Sequence, residues 1–295
     1  MNQIGLGIHA AMLADRSRNE ALAKAIRAVV GPGDIVVDVG AGSGLLAMLA
    51  ARAGAKRVYA LECNVMAEAA KHLVKQNGYA GVIQVIRTMS FNWDPPEQAD
   101  VVLCETLGFS ALEENFRPTM VDARRRMLRK GGILLPNHIA VLAVPVGLEG
   151  TVPDLCASDT IFELDFSLLA AAFRKSYQRA YVPYEAELAT PSVLFSLDCY
   201  QMRDTGILSN QVCFKIARDG MLTGFALWFD ACLADGIHMN SRGPDTTNHW
   251  GQTYMPLPEK QPVETGTEVI FNLEINDMNS NIQLAWDTAL NPVGN

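Results

Sequence analysis

Paired cysteines are the first thing this sequence lacks. Six are scattered through 295 residues, at Cys63, Cys104, Cys156, Cys199, Cys213 and Cys232, with no C-x-x-C spacing. That scatter argues against a metal site or a disulfide framework and suits free thiols in a reducing compartment. An excess of positive charge is also missing. Twenty-four basic residues face 32 acidic ones, a formal net charge of −8. A nucleic-acid backbone needs a basic face, so no nucleic-acid partner is expected, and a basic ligand fits the charge better. No apolar run approaches the roughly 20 residues that cross a bilayer. Residues 1–14 have no basic segment leading into an apolar run and a small-residue cleavage site. The expectation is a cytoplasmic protein with no membrane partner and no metal.

What the chain does have is apolar residues, 49% of the total, enough for sizeable cores. Residues 8–30 carry apolar positions at roughly helical intervals, closed by Gly31-Pro32-Gly33. Residues 35–39 form a short β-branched run, as expected of a strand covered on both faces. A glycine-rich turn over 40–44 leads into an Ala/Leu helix over 45–53. Further strands are predicted at 58–61, 82–86, 101–104 and 133–135, and helices at 66–76 and 116–128. This alternation implies an α/β, Rossmann-like parallel sheet. After Pro136 the pattern turns β-rich, with strands predicted at 139–146, 193–200, 211–216, 222–233 and 268–275, interrupted by one helix over about 166–180. We therefore expect an α/β domain over 1–136 and a barrel or sandwich over 137–295.

The strongest local signal is Val36-Val37-Asp38-Val39-Gly40-Ala41-Gly42-Ser43-Gly44. A buried strand ends in a turn with glycines at alternate positions, and a helix follows. Missing side chains let the backbone approach a ligand, and the helix N-terminus offers free N–H groups. The spacing is G-x-G-x-G rather than the G-x-G-x-x-G of a dinucleotide site. Glu62, followed by Cys63, ends the next strand eighteen residues after Gly44, placed to accept from both hydroxyls of a ribose. The plainer reading is a tight βα turn with no ligand. The acid on the second strand and the absence of a phosphate-binding lysine point instead to S-adenosylmethionine.

A second signal follows the fourth strand, Cys104-Glu105-Thr106-Leu107-Gly108-Phe109-Ser110-Ala111-Leu112-Glu113-Glu114. Ligands of open α/β sheets sit beyond the carboxyl ends of the strands, where this segment lies. A loop bent at Gly108 could turn Glu105 and Glu114 toward one point, although two surface glutamates are the blander reading. This segment resembles the double-glutamate loop of the protein arginine methyltransferase family, in which two glutamates grip a guanidinium. Three other segments resemble that family in the same order: Gly7-Ile8-His9-Ala10-Ala11-Met12-Leu13-Ala14-Asp15 with Arg18, the glycine loop with Ala60-Leu61-Glu62-Cys63, and Asn248-His249-Trp250.

The resemblance implies a role at each matching position. Arg18 would meet the methionyl carboxylate, with His9, Met12 and Gly40 also at the cofactor. Glu62 would hold the ribose, and Glu105 and Glu114 the guanidinium, with Trp250 beside the substrate. His249 would pair with Asp15. It also implies a β-barrel-like second domain and a homodimer joined through a helical arm at about 150–185. Three positions depart from the family pattern. The aromatic stretch ahead of the first helix is absent, Ser90-Phe91 stands where an acid usually receives the adenine, and Asn248 replaces a threonine. Free L-arginine and an arginine-containing peptide both remain open as substrate. The compact chain favours the free amino acid, and Met12 with residues 66–78 resembles members that add one methyl or dimethylate asymmetrically, of which monomethylation is the expectation. The competing readings are a small-molecule O- or N-methyltransferase and an inactive cofactor-binding partner subunit.

Overall fold

Residues 3–111, 113–148, 160–173, 175–203, 206–242, 248–277 and 283–291 are described by the structure, a computed structural model. The expected arm at about 150–185 therefore lies outside the described residues up to 159, as does Cys156. Two helices open the chain, α1 (Gln3–Ala14) and α2 (Arg16–Val29), where the sequence predicted one helical stretch over 8–30. The break is Asp15. Its backbone is extended and its carboxylate accepts the Arg18 N–H at 3.0 Å, so it caps α2 and cannot continue α1.

Five strands follow with three helices, namely β1 (Ile35–Val39), α3 (Leu45–Ala53), β2 (Arg57–Glu62), α4 (Met66–Gln76), β3 (Ile83–Arg87), β4 (Ala99–Cys104), α5 (Phe116–Arg126) and β5 (Leu128–Leu135). All five are parallel, in the order β3-β2-β1-β4-β5. Every residue of β1 is buried, as its apolar run requires, because helices cover both faces. Register sets up the site. Val39 lies opposite Leu61 of β2 and Cys104 of β4, so three strands end level. Gly40, Glu62 and Glu105 thus share one rim, at the point where strand order reverses and a crevice opens.

Beyond Pro136 come β6 (His138–Val146), β7 (Thr160–Ile161), β8 (Leu164–Asp165), α6 (Ser167–Phe173), β9 (Gln178–Ala180), β10 (Ser192–Asp198), β11 (Ile207–Lys215), β12 (Gly220–Ala234), β13 (Ile237–Asn240), β14 (Gln252–Val263), β15 (Glu268–Asn276) and β16 (Gln283–Asn291). One antiparallel sheet runs β10-β6-β12-β14-β9 with β13 on β12, and a second runs β11-β15-β16. Phe214, Phe225 and Phe271 join the two sheets. Phe225 stacks on Phe271 at 4.1 Å between ring centroids, and Phe214 lies 6.2 Å from Phe225. The result is a β-barrel-like body packed on the end of the parallel sheet.

Two expectations fail here. The helix predicted over 166–180 is confined to α6, and Gln178–Ala180 is a strand instead, paired with β14. Partnership with Gln252, Thr253 and Tyr254 overrides a local helical pattern in that segment. Strand β14 escaped prediction because Pro256, Pro258 and Pro262 interrupt it. The structure accommodates Pro256 opposite Gly224, beside a register shift in β12, which is where sheets tolerate proline.

One ion pair fastens the helix behind the glutamate loop to the barrel. Arg117 of α5 donates through Nε and Nη2 to the two oxygens of Asp277 at 2.6 Å each, and Nη2 also reaches the Gly206 carbonyl at 2.6 Å. Asp277 is 3% exposed. Removing one partner strands the other as a buried charge. Arg117→Met is expected to lower the free energy of unfolding by about 3–5 kcal/mol in urea titrations, and Asp277→Asn by a similar amount, since it leaves the Arg117 cation buried without its anion.

Candidate active site

Glycines 40 and 42 are dictated by geometry. Gly40 has φ +76° and a Cβ there would lie 2.6 Å from the Thr106 methyl; Gly42 has φ +52° and would meet the His9 ring at 3.0 Å. Gly44 starts α3 in the same left-handed region. Beneath the loop Asp38 is fully buried, accepting the Ala47 N–H at 2.9 Å while its Oδ1 has no partner. Burial pushes its pKa up to about 7; the Ala47 bond opposes this, and the negative Glu62 and Glu105 add to it. Glu62 accepts Gly42 N–H at 2.8 Å on one oxygen and Asn64 N–H at 3.0 Å on the other. Each oxygen keeps a second lone pair for a ligand.

Above the rim lies a cavity of about 440 Å³, within the range of small-molecule sites. It is bordered by His9, Met12, Arg18, Gly40, Gly42, Glu62, Cys63, Glu105, Glu114, His249 and Trp250. Eleven of the sequence-predicted positions therefore meet at one place. Four do not border it. Asp38 lies beneath the loop, Gly44 begins α3, and Asp15 stands behind His249. Ser90 lies buried in a short 3₁₀ turn outside the lining, its carbonyl accepting Arg126 at 2.8 Å. The Cys63 thiol, raised by burial and by Glu62, stays protonated and is no nucleophile.

The double-glutamate loop is held from the barrel side. Trp250, 4% exposed, donates its indole N–H to the Leu107 carbonyl at 2.8 Å, and Ser241 donates to the Phe109 carbonyl at 3.1 Å. Glu113 is the residue that sequence reasoning missed. Its carboxylate accepts the Ser110 hydroxyl at 2.8 Å, the Ser110 N–H at 3.1 Å and the Thr253 hydroxyl at 2.7 Å. Gly108 makes room for it, since a Cβ there would sit 2.5 Å from Glu113 Oε2. The spacing Ser110-x-x-Glu113 was the available clue. Nothing in the sequence pointed to Thr253.

Glu105 is neutralised by Arg18, whose Nη2 donates to Oε2. Arg18 is buried, bonds Asn19 Oδ1 at 2.8 Å through Nη1, and leaves Nε without an acceptor. Glu114 is different. It is exposed at the cavity's edge, although protein atoms crowd around its carboxylate. Burial raises its pKa to about 7, and the like charges of Glu105 and Glu113 add to the shift. His249 Nδ1 lies 2.9 Å from Asp15 Oδ2, which also accepts the His249 backbone N–H at 3.1 Å. Burial alone would raise Asp15. Bonds from the His249 side chain and from the Arg18 and His249 backbones outweigh it and hold the pKa at about 2. An ionised Asp15 can only accept, so Nδ1 of His249 is the donor in this bond. Asn248 organises this turn, taking the Trp250 N–H at 2.7 Å and donating to Ser241.

A glycine cradle, a carboxylate at the second strand and a buried guanidinium with an unmet N–H fit a nucleoside carrying an amino-acid end. Comparison with known proteins agrees. Residues 21–132 match the family model for the ribosomal protein L11 methyltransferase, and residues 155–290 match the arginine methyltransferase oligomerization subdomain. The arginine N(omega)-methyltransferase of Streptomyces achromogenes subsp. streptozoticus is 30% identical over 94% of this chain and 78% of its own. The chain belongs to the arginine methyltransferase family. Protein arginine N-methyltransferase 6 of Xenopus laevis is 27% identical over 94% of the chain and 85% of the relative. Among solved structures, the Trypanosoma brucei PRMT1 enzyme–prozyme heterotetrameric complex with AdoHcy superposes with a TM-score of 0.85 at 21% identity, covering 96% of this chain and 97% of that one. The Arabidopsis thaliana protein arginine methyltransferase 10 gives 0.81 at 23% identity, over 96% and 93%. This family member is an S-adenosylmethionine-dependent N-methyltransferase.

Proposed function

We propose that the enzyme places one methyl group on a terminal guanidinium nitrogen of arginine, giving Nω-monomethylarginine, with Glu105 and Glu114 holding the substrate. The observation that carries this is the meeting of both glutamates in one cavity with the glycine loop and Glu62. Arginine stays protonated, with a pKa above about 12, and its delocalised lone pairs make it a weak nucleophile. Carboxylates in a closed site compensate its charge, each charge-assisted hydrogen bond contributing about 1.5–3 kcal/mol. Unequal bonding to the two acids would concentrate electron density on one nitrogen. S-adenosylmethionine, held by Gly40, Gly42, Glu62 and Arg18, supplies an electrophilic methyl on a cationic sulfur. The methylated nitrogen then loses a proton, and Glu114, bordering the cavity, takes it. His249, fixed by Asp15, orients the barrel side of the cavity. Met12, one of the positions behind the single-methyl reading, borders the cavity.

In this reading residues 1–136 form the cofactor-binding domain and 137–295 the substrate domain. The enzyme works as a homodimer in the cytoplasm. Phe162, Leu164 and Leu168 are 94%, 63% and 88% exposed, an apolar cluster that suits burial by a second subunit. Light scattering should give twice the 32.1 kDa chain mass; a monomer at micromolar concentration would contradict the dimer. The cytoplasm suits exposed free thiols at Cys63 and Cys213, and no helix among the described residues is long and apolar enough to cross a membrane.

Glu105→Gln and Glu114→Gln should each cut turnover by about 10²–10³-fold, the usual cost of removing one charge-stabilising group. Binding of S-adenosylhomocysteine should change little in Glu114→Gln. Mass spectrometry of the wild-type product should show a single added methyl on arginine. Full activity in both variants would remove the basis of the assignment.

A further inference from the structure

We infer that Arg179 is the recognition residue for a substrate carboxylate, and that the substrate is therefore free L-arginine rather than arginine within a peptide. This rests on the guanidinium reading above and adds the other end of the substrate. Arg179 is the middle residue of β9, opposite Thr253 of β14, and borders the same cavity as Glu105 and Glu114. Its side chain is exposed yet held on several sides. Nε donates to the Trp250 carbonyl at 2.7 Å, and Nη2 donates to the His249 carbonyl and to the Tyr181 hydroxyl. The guanidinium carbon lies 5.5 Å from the Phe109 ring centroid and 5.1 Å from that of Tyr181. Among the described residues no carboxylate pairs with it, and Nη1 has no acceptor.

A fixed cation is an odd neighbour for a site built to receive a cation. Coulomb repulsion between two guanidinium groups at one cavity would weaken substrate binding. It becomes an advantage when the substrate brings its own anion. Free arginine does, because its α-carboxylate lies at the far end of the molecule from its guanidinium. Arginine inside a peptide carries a neutral amide there. Nη1 of Arg179, the nitrogen with no acceptor, can donate charge-assisted hydrogen bonds to a carboxylate, and the carbonyls and aromatic rings hold it ready. The cavity would then read a zwitterionic amino acid from both ends, acids for the side chain and Arg179 for the carboxylate.

The test compares L-arginine, agmatine (the same guanidine and carbon chain without the carboxylate) and an Arg-Gly-rich peptide as substrates of the full chain. L-arginine is expected to exceed agmatine in kcat/KM by about 10- to 100-fold, the value of one charged hydrogen-bonded contact. Arg179→Gln should collapse that ratio toward one, mainly through KM, and Arg179→Lys should restore part of it. Equal losses on L-arginine and agmatine would mean a structural role and overturn the inference. A wild-type enzyme that prefers the peptide, or treats agmatine and L-arginine alike, would also overturn it. Methylation of none of the three, with S-adenosylhomocysteine still bound, would instead bring down the guanidinium reading and this one with it.

Discussion

Negative charge crowded into a partly closed site is the constraint around which this molecule is arranged. Glu105, Glu113 and Glu114 come from one loop, and Asp38 and Glu62 lie on the neighbouring strand ends. Carboxylates this close cannot all stay ionised unless something compensates each of them. The structure meets that need residue by residue. Arg18 neutralises Glu105, hydroxyl and amide donors satisfy Glu113, and two backbone N–H groups satisfy Glu62. Asp38 is left to hold a proton near neutrality. Glu114 has no donor or cation among the described residues, and its pKa rises to match. Among the described residues Glu114 alone of these acids lacks a partner, and in the proposed complex the substrate guanidinium is that partner.

The second domain exists in part to hold that arrangement. A loop of eleven residues with left-handed backbone at Ala111 and Asn115 would not fix two carboxylates by itself. Trp250, Ser241 and Thr253, all from the barrel, bond to Leu107, Phe109 and Glu113 across the domain junction. Arg117 and Asp277 clamp the following helix to the same body. His249 reaches back to Asp15, so the N-terminal helices are tied in as well. Catalytic geometry is thus a property of the junction between the two bodies, in line with the general placement of ligand sites.

Much of this was legible in the sequence, and for physical reasons. The β1 run and its glycines announce themselves because full burial demands apolar β-branched residues and because positive φ demands glycine. Glu62 is readable because its place at the end of the next strand is fixed by register. The cavity residues on α1, α2 and the 248–250 turn could be named through resemblance. Periodicity gave no route to them, since the partners of Arg18, Trp250 and His249 lie 87, 143 and 234 residues away. What stayed hidden depends on tertiary pairing. Arg179 looked like part of a helix until β14 claimed its backbone, and Thr253 and Glu113 find each other across 140 positions. The bond from Arg126 to the Ser90 carbonyl is likewise a contact that local pattern does not encode.

The central claim is that Glu114 takes the substrate guanidinium as its partner, and proton linkage measures this directly. With Glu114 near pKa 7 in the arginine-free enzyme, about half the molecules carry its proton at neutral pH. A bound guanidinium lowers that pKa, so arginine binding must expel the proton and tighten as pH rises through about 7. Calorimetric titration of arginine into the S-adenosylhomocysteine complex at pH 7, in two buffers of different ionisation enthalpy, counts it. Release of about half a proton is expected, falling to none at pH 9 and absent in Glu114→Gln. Arginine binding with no proton release at pH 7, or with the same release in Glu114→Gln, would contradict the account.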